Sequence, residues 1–449
     1  LIKKFTTYLT QPIGATPLIN FRLIFGVLLV FSTLRFMYLG WIEDHYTQPV
    51  FHFKYWGFEF VEPVGVTAMY IIHIVMVIAA IGIIVLHGWA YRIAALTLFI
   101  LFTYTELIDL TYYLNHYYFV SLMCLILCIL PAQHSLINGN TQSQTPRWSI
   151  LIIQIQIAFL YVYAGLAKIN YTWLIEAMPL KIWLPANDQL PIIGPIFTLS
   201  FTPHLFAWIG MIYDCLIVFL LLYAPTRKIA YLSVVIFHVI TGMLFQIGVF
   251  PLVMIGITTI YFSQNWHDKF LSIVQKIFFI PIVAPKNNLW TLKKQKVFLW
   301  ILLPYVLFQL FFPWRFVLYK GDLFWHEQGY RFGWRVMLME KAGTAFFYVK
   351  DGVTGREGVV DNREFLNSHQ EKQMAFQPDM ILQFAHFLGE HYAQKGVQKP
   401  EVRAEVYVTL NAQKSKLFVN PKVDLMKEKD TFAPKNWIIQ YDEDGRVVE

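Results

Sequence analysis

Charge is what this sequence has least of. Of its 449 residues, 14% are Asp, Glu, Lys or Arg and 57% are hydrophobic; an ordinary soluble chain carries about 25% charged residues. A deficit on that scale excludes a water-facing surface over most of the length. Cysteine is almost absent as well. Its three copies, Cys124, Cys128 and Cys215, all fall in apolar runs, so none can staple an exposed domain. No Cys/His spacing suits zinc, and neither a Gly-rich phosphate loop nor a Gly-x-Ser-x-Gly elbow occurs.

Long apolar runs are abundant. By the membrane-span rule, about nine segments are candidate transmembrane helices. They lie at Pro17–Leu39, Val64–Leu86, Tyr91–Leu107, His116–Leu130, Trp148–Ala167, Leu205–Leu222, Ala230–Phe245, Pro251–Phe262 and Val297–Phe312. The span from Pro251 is short enough to be half of a hairpin, and Leu190–Leu199 is a candidate re-entrant segment. The first stretch reads as a retained helix. It is longer than a signal core, carries Arg22 and has no small-residue cleavage site after it.

Basic residues sort the loops. Lys3, Lys4, His87, Arg92, Arg147, Arg227, Lys228, Lys269, Lys276, Lys286, Lys293, Lys294 and Lys296 fall on one side, which the positive-inside rule makes cytoplasmic. Glu43, Asp44, Glu59, Glu62, Glu106 and Asp109 fall on the other. An odd number of spans then puts the C-terminus outside. The net charge of +7 is mostly this inner belt and gives no reason to propose nucleic acid as a partner.

The pattern changes after residue 318, so the expected division is a helical membrane domain over 1–318 and an extracytoplasmic soluble domain over 319–449. Thr344–Lys350 and Val359–Val360 flank a turn in DGVTGREG and predict a hairpin. Pro378–His391 has helical spacing. Glu405–Leu410 and Lys416–Val419 predict two further strands. The fold class expected is a polytopic α-helical membrane protein with a small C-terminal α+β domain, which would cover or complete a membrane site.

Ionisable groups at membrane depth are costly and therefore functional candidates. Lys168 ends a long apolar helix on the outer side. Desolvation disfavours the charged form of a buried amine, and a neutral amine is a competent general base. The alternative is a lysine snorkelling to the interface. Asn115 and His116 open the fourth span on the same side, able to hydrogen-bond an oxyanion or to form a structural interfacial pair. His238 lies inside the seventh span, where a bond to a neighbouring helix is the plain alternative. Asp214 and Arg22 suggest an interhelical salt bridge; His73 has no assigned role. Aromatic residues make up 17% of the chain; they serve interfacial belts or the walls of a flat ligand.

Several long motifs, in order from about Asn20 to about Leu425, resemble the vitamin K-dependent γ-glutamyl carboxylase family in a short form. YVYAGLAKINYTW is similar to the family segment that ends in the base deprotonating reduced vitamin K, which falls on Lys168. LNHYYFVSL resembles the segment carrying the catalytic histidine and its asparagine, here His116 and Asn115. FHVITGMLFQIGVFPLVM is similar to a further histidine-bearing helix, matching at His238, Gln246, Gly248 and Phe250. GYRFGWRVML resembles the stretch implicated in glutamate binding, with Tyr330, Trp334 and Met337; VTLN and FVNPKVDL match the soluble domain.

The resemblance implies quinol contacts at His238, Phe250 and Met337, and a glutamate entrance at Tyr330 and Trp334. It implies reduced vitamin K (phylloquinol or menaquinol type), O2 and CO2 as co-substrates, a glutamate-containing peptide as partner, and no metal. The missing C-terminal extension of animal members implies a bacterial protein of the cytoplasmic membrane. Two departures stand out. Phe316 and Met339 occupy positions where the family carries histidines, so quinol epoxidation without carboxylation, or quinone binding without catalysis, are the competing readings. The sequon Asn170-Tyr171-Thr172 reads as coincidental beside Lys168.

Overall fold

The computed structural model describes residues 2–245, 247–282, 290–442 and 445–448; Gln246 and Lys286 lie outside these. Among the described residues, eleven helices of eight residues or more form the first part: α1 (Ile2–Thr10), α2 (Thr16–Tyr38), α3 (Val66–Val85), α4 (Gly88–Leu107), α5 (Asn115–Ile129), α6 (Trp148–Ala167), α7 (Thr202–Leu222), α8 (Arg227–Leu244), α9 (Phe250–Ile257), α10 (Gln264–Ile277) and α11 (Leu292–Phe311). All nine expected spans are helical, yet they divide into two kinds. Seven are long and apolar enough to cross a membrane, whereas Asn115–Ile129 and Phe250–Tyr261 are shorter. A 15-residue helix reaches only about 22 Å at 1.5 Å per residue, less than the roughly 30 Å of hydrocarbon.

Proline in the first turn starts α2, α7 and α9, where its missing N–H costs nothing. Small residues let the helices meet. A Cβ on Gly82 of α3 would sit 2.8 Å from that of Ala94 on α4, and one on Gly165 of α6 would sit 2.6 Å from Cys215 Sγ on α7.

The loops sort into two ends. At one, Pro12–Gly14 pairs antiparallel with Gln144–Pro146, and Asn20 Nδ2 donates to the His267 carbonyl at 2.9 Å. Arg22 donates to the carbonyls of Ile83, Leu86 and His134 and lies 4.0 Å from the Tyr91 ring centroid. The expected Arg22–Asp214 bridge is therefore absent: Arg22 is held by loop carbonyls at this end, and Asp214 pairs with Lys168. At the other end, Phe53, Tyr55 and Leu110 share a core with Phe347 and Phe384 of the C-terminal part. Asp109 accepts from Gln370 Nε2 at 2.7 Å there.

The C-terminal part holds β1 (Lys341–Lys350), β2 (Glu357–Val359), helices α12 (Ser368–Met374) and α13 (Pro378–Gln394), β3 (Glu401–Leu410) and β4 (Lys416–Leu417). The strands form one antiparallel sheet in the order β2-β1-β3-β4. Val402, Ala404, Val406 and Val408 alternate inward along β3 and meet Ile381, Phe384 and Leu388 of α13. The hairpin turn is held by Asp351, whose carboxylate accepts from the backbone of Thr354, Gln398 and Val353. Those bonds hold its acid down at about 2. The unexpected helix α12 begins with a capping box formed by Asn367 and Gln370, a spacing visible in the sequence. Leu190–Leu199, the candidate re-entrant segment, folds around a short 3-10 turn, Gly194–Thr198, with Ile192 93% exposed.

Candidate active site

Lys168 is the C-cap of α6. Its Nζ lies 2.7 Å from Asp214 Oδ2 and 3.2 Å from the Ala164 carbonyl, with the Trp173 ring centroid 5.5 Å away. Both side chains are buried, at 8% and 5% exposure. The amine is enclosed by protein and does not reach toward the interface as a snorkelling lysine would. Gly165 makes the pair possible. With no side chain there, the backbone of α7 comes so close that a Cβ would meet the Cys215 nitrogen at 2.7 Å.

Asn115 and His116 begin α5 but point to different partners. Asn115 Nδ2 donates to the Arg335 carbonyl at 2.9 Å, and its Oδ1 accepts from Tyr113 at 3.0 Å. The His116 ring stacks on Phe250 at 5.0 Å and lines a cavity of about 30 Å³ with Phe102 and Val253. His238 is buried, 2.8 Å from the Tyr161 hydroxyl. Among the described residues no hydrogen bond, ion pair or ring contact joins Lys168 to His116 or to His238.

The chain from 327 to 337 threads between the helical part and the sheet. Glu327, Phe332, Trp334 and Met337 all take left-handed backbone angles, φ 53° to 58°. Non-glycine residues avoid that region, and a cluster of them marks a path imposed by its surroundings. Trp334 is fully enclosed and stacks on Tyr118 at 5.0 Å. Leu338 packs with Trp173 and Ala207 in a cluster, and Glu340 accepts from Trp183 at 2.6 Å. The segment thus reaches from the α5 wall to the residues beside Lys168. Tyr330 lies 6.3 Å from Phe324, and burial pushes its phenol well above the ordinary range. Phe316 lies under the Arg335 guanidinium at 4.1 Å, and Met339 packs against the core of the C-terminal part.

Tyr118 also lines a cavity of about 500 Å³. Its lining includes the apolar side chains of Phe99 and Leu125 and the polar ones of Gln328 and Lys435. Arg331 in its wall donates to Asp379 through both terminal nitrogens and to Gln377. Burial alone would lower the Arg331 pKa, but the Asp379 charge outweighs it and the net direction is up. Neither Lys168 nor His116 lines this cavity. Sequence reading missed Arg315, Arg331 and Asp379; Arg331 and Asp379 meet across 48 residues, and local pattern carries no signal for that.

Residues 10–266 match the HTTM domain family, and residues 294–444 match the lumenal domain of the vitamin K-dependent gamma-carboxylase. Both matched stretches carry expected site residues: Lys168, Asn115, His116, His238 and Phe250 in the first, Tyr330, Trp334 and Met337 in the second. No solved structure matches the chain.

Proposed function

The chain belongs to the vitamin K-dependent γ-glutamyl carboxylase family, and from that premise we propose that it oxidises a reduced vitamin K to the epoxide while adding CO2 to the γ-carbon of a peptide glutamate. The net reaction balances as quinol, O2, CO2 and glutamate going to epoxide, water and γ-carboxyglutamate. The observation that carries this reading is the enclosed Lys168–Asp214 pair, 2.7 Å apart.

Lys168 is the proton acceptor for the quinol hydroxyl. A lysine salt-bridged to a carboxylate is a poor base, so the working state has the shared proton on Asp214 and a free amine lone pair on Lys168. The pair is neutral in both states, which is what a dry site tolerates. Asp214 is thus the positioning residue and proton store for Lys168. Enclosure also keeps water from quenching the strong base that removes the glutamate γ-proton. Asn115 and His116 bind the quinol or substrate oxygens at the outer end of α5. His238, Phe250 and Met337 contact the quinol ring, and Tyr330 and Trp334 guide the glutamyl side chain. In this reading residues 319–449 form the soluble domain, on the extracytoplasmic face of a bacterial membrane with the N-terminus cytoplasmic.

The test is epoxide formation by mass spectrometry, with reduced vitamin K, O2, 13C-bicarbonate and a glutamyl peptide given to the purified protein. Epoxide and labelled peptide from the unaltered chain, with neither from Lys168→Ala, are the expected result. Epoxide from Lys168→Ala at the unaltered rate would remove the base assignment. A second reading, epoxidation without carboxylation, is favoured by Phe316 and Met339, which place a ring under Arg335 and a thioether against the domain core instead of titratable groups. Epoxide without labelled peptide would select it.

A further inference from the structure

The 500 Å³ cavity has a feature the proposed mechanism leaves unused: an acid with no partner among the described residues and a guanidinium with no counter-charge. Arg331 is neutralised by Asp379 and Lys435 by Asp430. Glu106, near the end of α4, has no hydrogen bond or ion pair among the described residues, and Arg315 donates only to the carbonyls of Phe312 and Arg331. A guanidinium has five N–H groups, so donors remain. Glu106 and Arg315 both line the void yet form no ion pair with each other. Polar groups with unused hydrogen-bonding capacity beside an apolar void are costly unless something satisfies them.

Much of the remaining lining is apolar. It runs from Phe99 to Glu106 on α4 and from Tyr118 to Leu125 on α5, eight residues on each helix, or about 10 Å. A volume of 500 Å³ suits a drug-sized ligand. The lining calls for a head group that both donates and accepts, on an apolar body. A hydroquinone meets both demands: a hydroxyl can donate to Glu106 and an oxygen can accept from Arg315, with an apolar ring and tail to match Tyr113, Phe332 and the lining residues of α4 and α5.

We propose that this cavity is a receiving site for the lipid-soluble quinol, distinct from the Lys168–Asp214 pair. The identity of the ligand rests on the function proposed above; the location rests on Glu106, Arg315 and the apolar lining. The stacked rings of Tyr118 and Trp334 are the partition on one side of it. Passage toward Lys168 then requires Trp334 and its left-handed neighbours to shift.

Anaerobic titration of the full chain in detergent, with phylloquinol and separately with phylloquinone, tests the proposal. The quinol can donate to a Glu106 oxygen and the quinone cannot, so the quinol binds at least tenfold tighter, as expected where an acceptor is otherwise left without a partner. Glu106→Leu removes that preference, and Ser121→Trp, which fills the cavity wall, weakens both ligands at least tenfold. As a control independent of the folding of Ser121→Trp, the unaltered protein is also labelled with a photoreactive naphthoquinone. Label mapping to α4 and α5 supports the site; label confined to α6 and α7 overturns it. Equal quinol binding in both variants, with epoxide still formed, overturns this inference alone. No bound quinol and no epoxide from the unaltered chain removes the functional reading beneath it.

Discussion

Replacing Asp214 with alanine leaves the Lys168 amine buried with no counter-charge. Both groups are more than nine-tenths enclosed and 2.7 Å apart, so the solvent that weakens surface pairs is excluded. Breaking such a pair by removing one partner costs about 3–5 kcal/mol, whereas replacing both partners by apolar residues is often neutral or stabilising. Asp214→Ala should therefore lose about 3–5 kcal/mol, and Lys168→Met combined with Asp214→Leu should recover most of it. Reversible unfolding in mixed micelles measures all four corners of the cycle, and the coupling free energy isolates the pair. The epoxide assay on the same preparations adds a second axis. The double variant regains stability but forms no epoxide, because the proton acceptor is gone. A cost below about 1 kcal/mol for Asp214→Ala, outside the buried-pair range, would refute the reasoning: it would mean that water reaches the pair and that a neutral, dry base is not what this site provides.

Other tests follow from separate contacts. Gly165→Leu forces α6 and α7 apart at the Cys215 backbone and should abolish epoxide formation while leaving the C-terminal part folded, as read by its protection from protease. Arg331→Ala strands the Asp379 carboxylate, whose acid the guanidinium holds below the usual range against the opposing effect of burial; a loss of about 3–5 kcal/mol should appear as earlier proteolysis of the C-terminal part. Trp334→Ala removes a fully enclosed ring and should cost about 3–5 kcal/mol, with epoxide formation falling if the segment closes the Lys168 site. His45 stacks on Tyr112 at 3.8 Å, and Tyr112 on His369 at 4.5 Å. Burial, with His369 adding repulsion, pushes His45 down to about 4. Its folded pKa lies below the unfolded value, so its contribution is complete above about 6.5 and lost as pH falls through about 4, at most about 3 kcal/mol. His45→Phe should flatten that part of the pH–stability profile.

Hydropathy and charge alone determined much of this architecture. A helix in hydrocarbon must satisfy its own backbone and show apolar side chains all round, so the spans from Pro17 to Phe312 were legible without any partner. Strand alternation in Glu405–Leu410 and the Asp351 turn were legible because both are local. The motif around Lys168 marked the residue for the same reason. What surrounds Lys168 was not legible. Asp214 could be seen as an intramembrane acid, but Arg22 was the partner expected on paper; the packing of Gly165 against Cys215 brings it to Lys168 instead. Two apolar helices proved too short to cross alone, which depends on where α5 and α9 start against their neighbours. The Glu106–Arg315 cavity belongs wholly to the tertiary structure. Its two charges are 209 positions apart by subtraction of their residue numbers, on elements joined only through the fold. Sequence determines which groups are costly to bury; the packing of helices against one another and against residues 327–340 determines which of those costs are met inside the chain and which await a ligand.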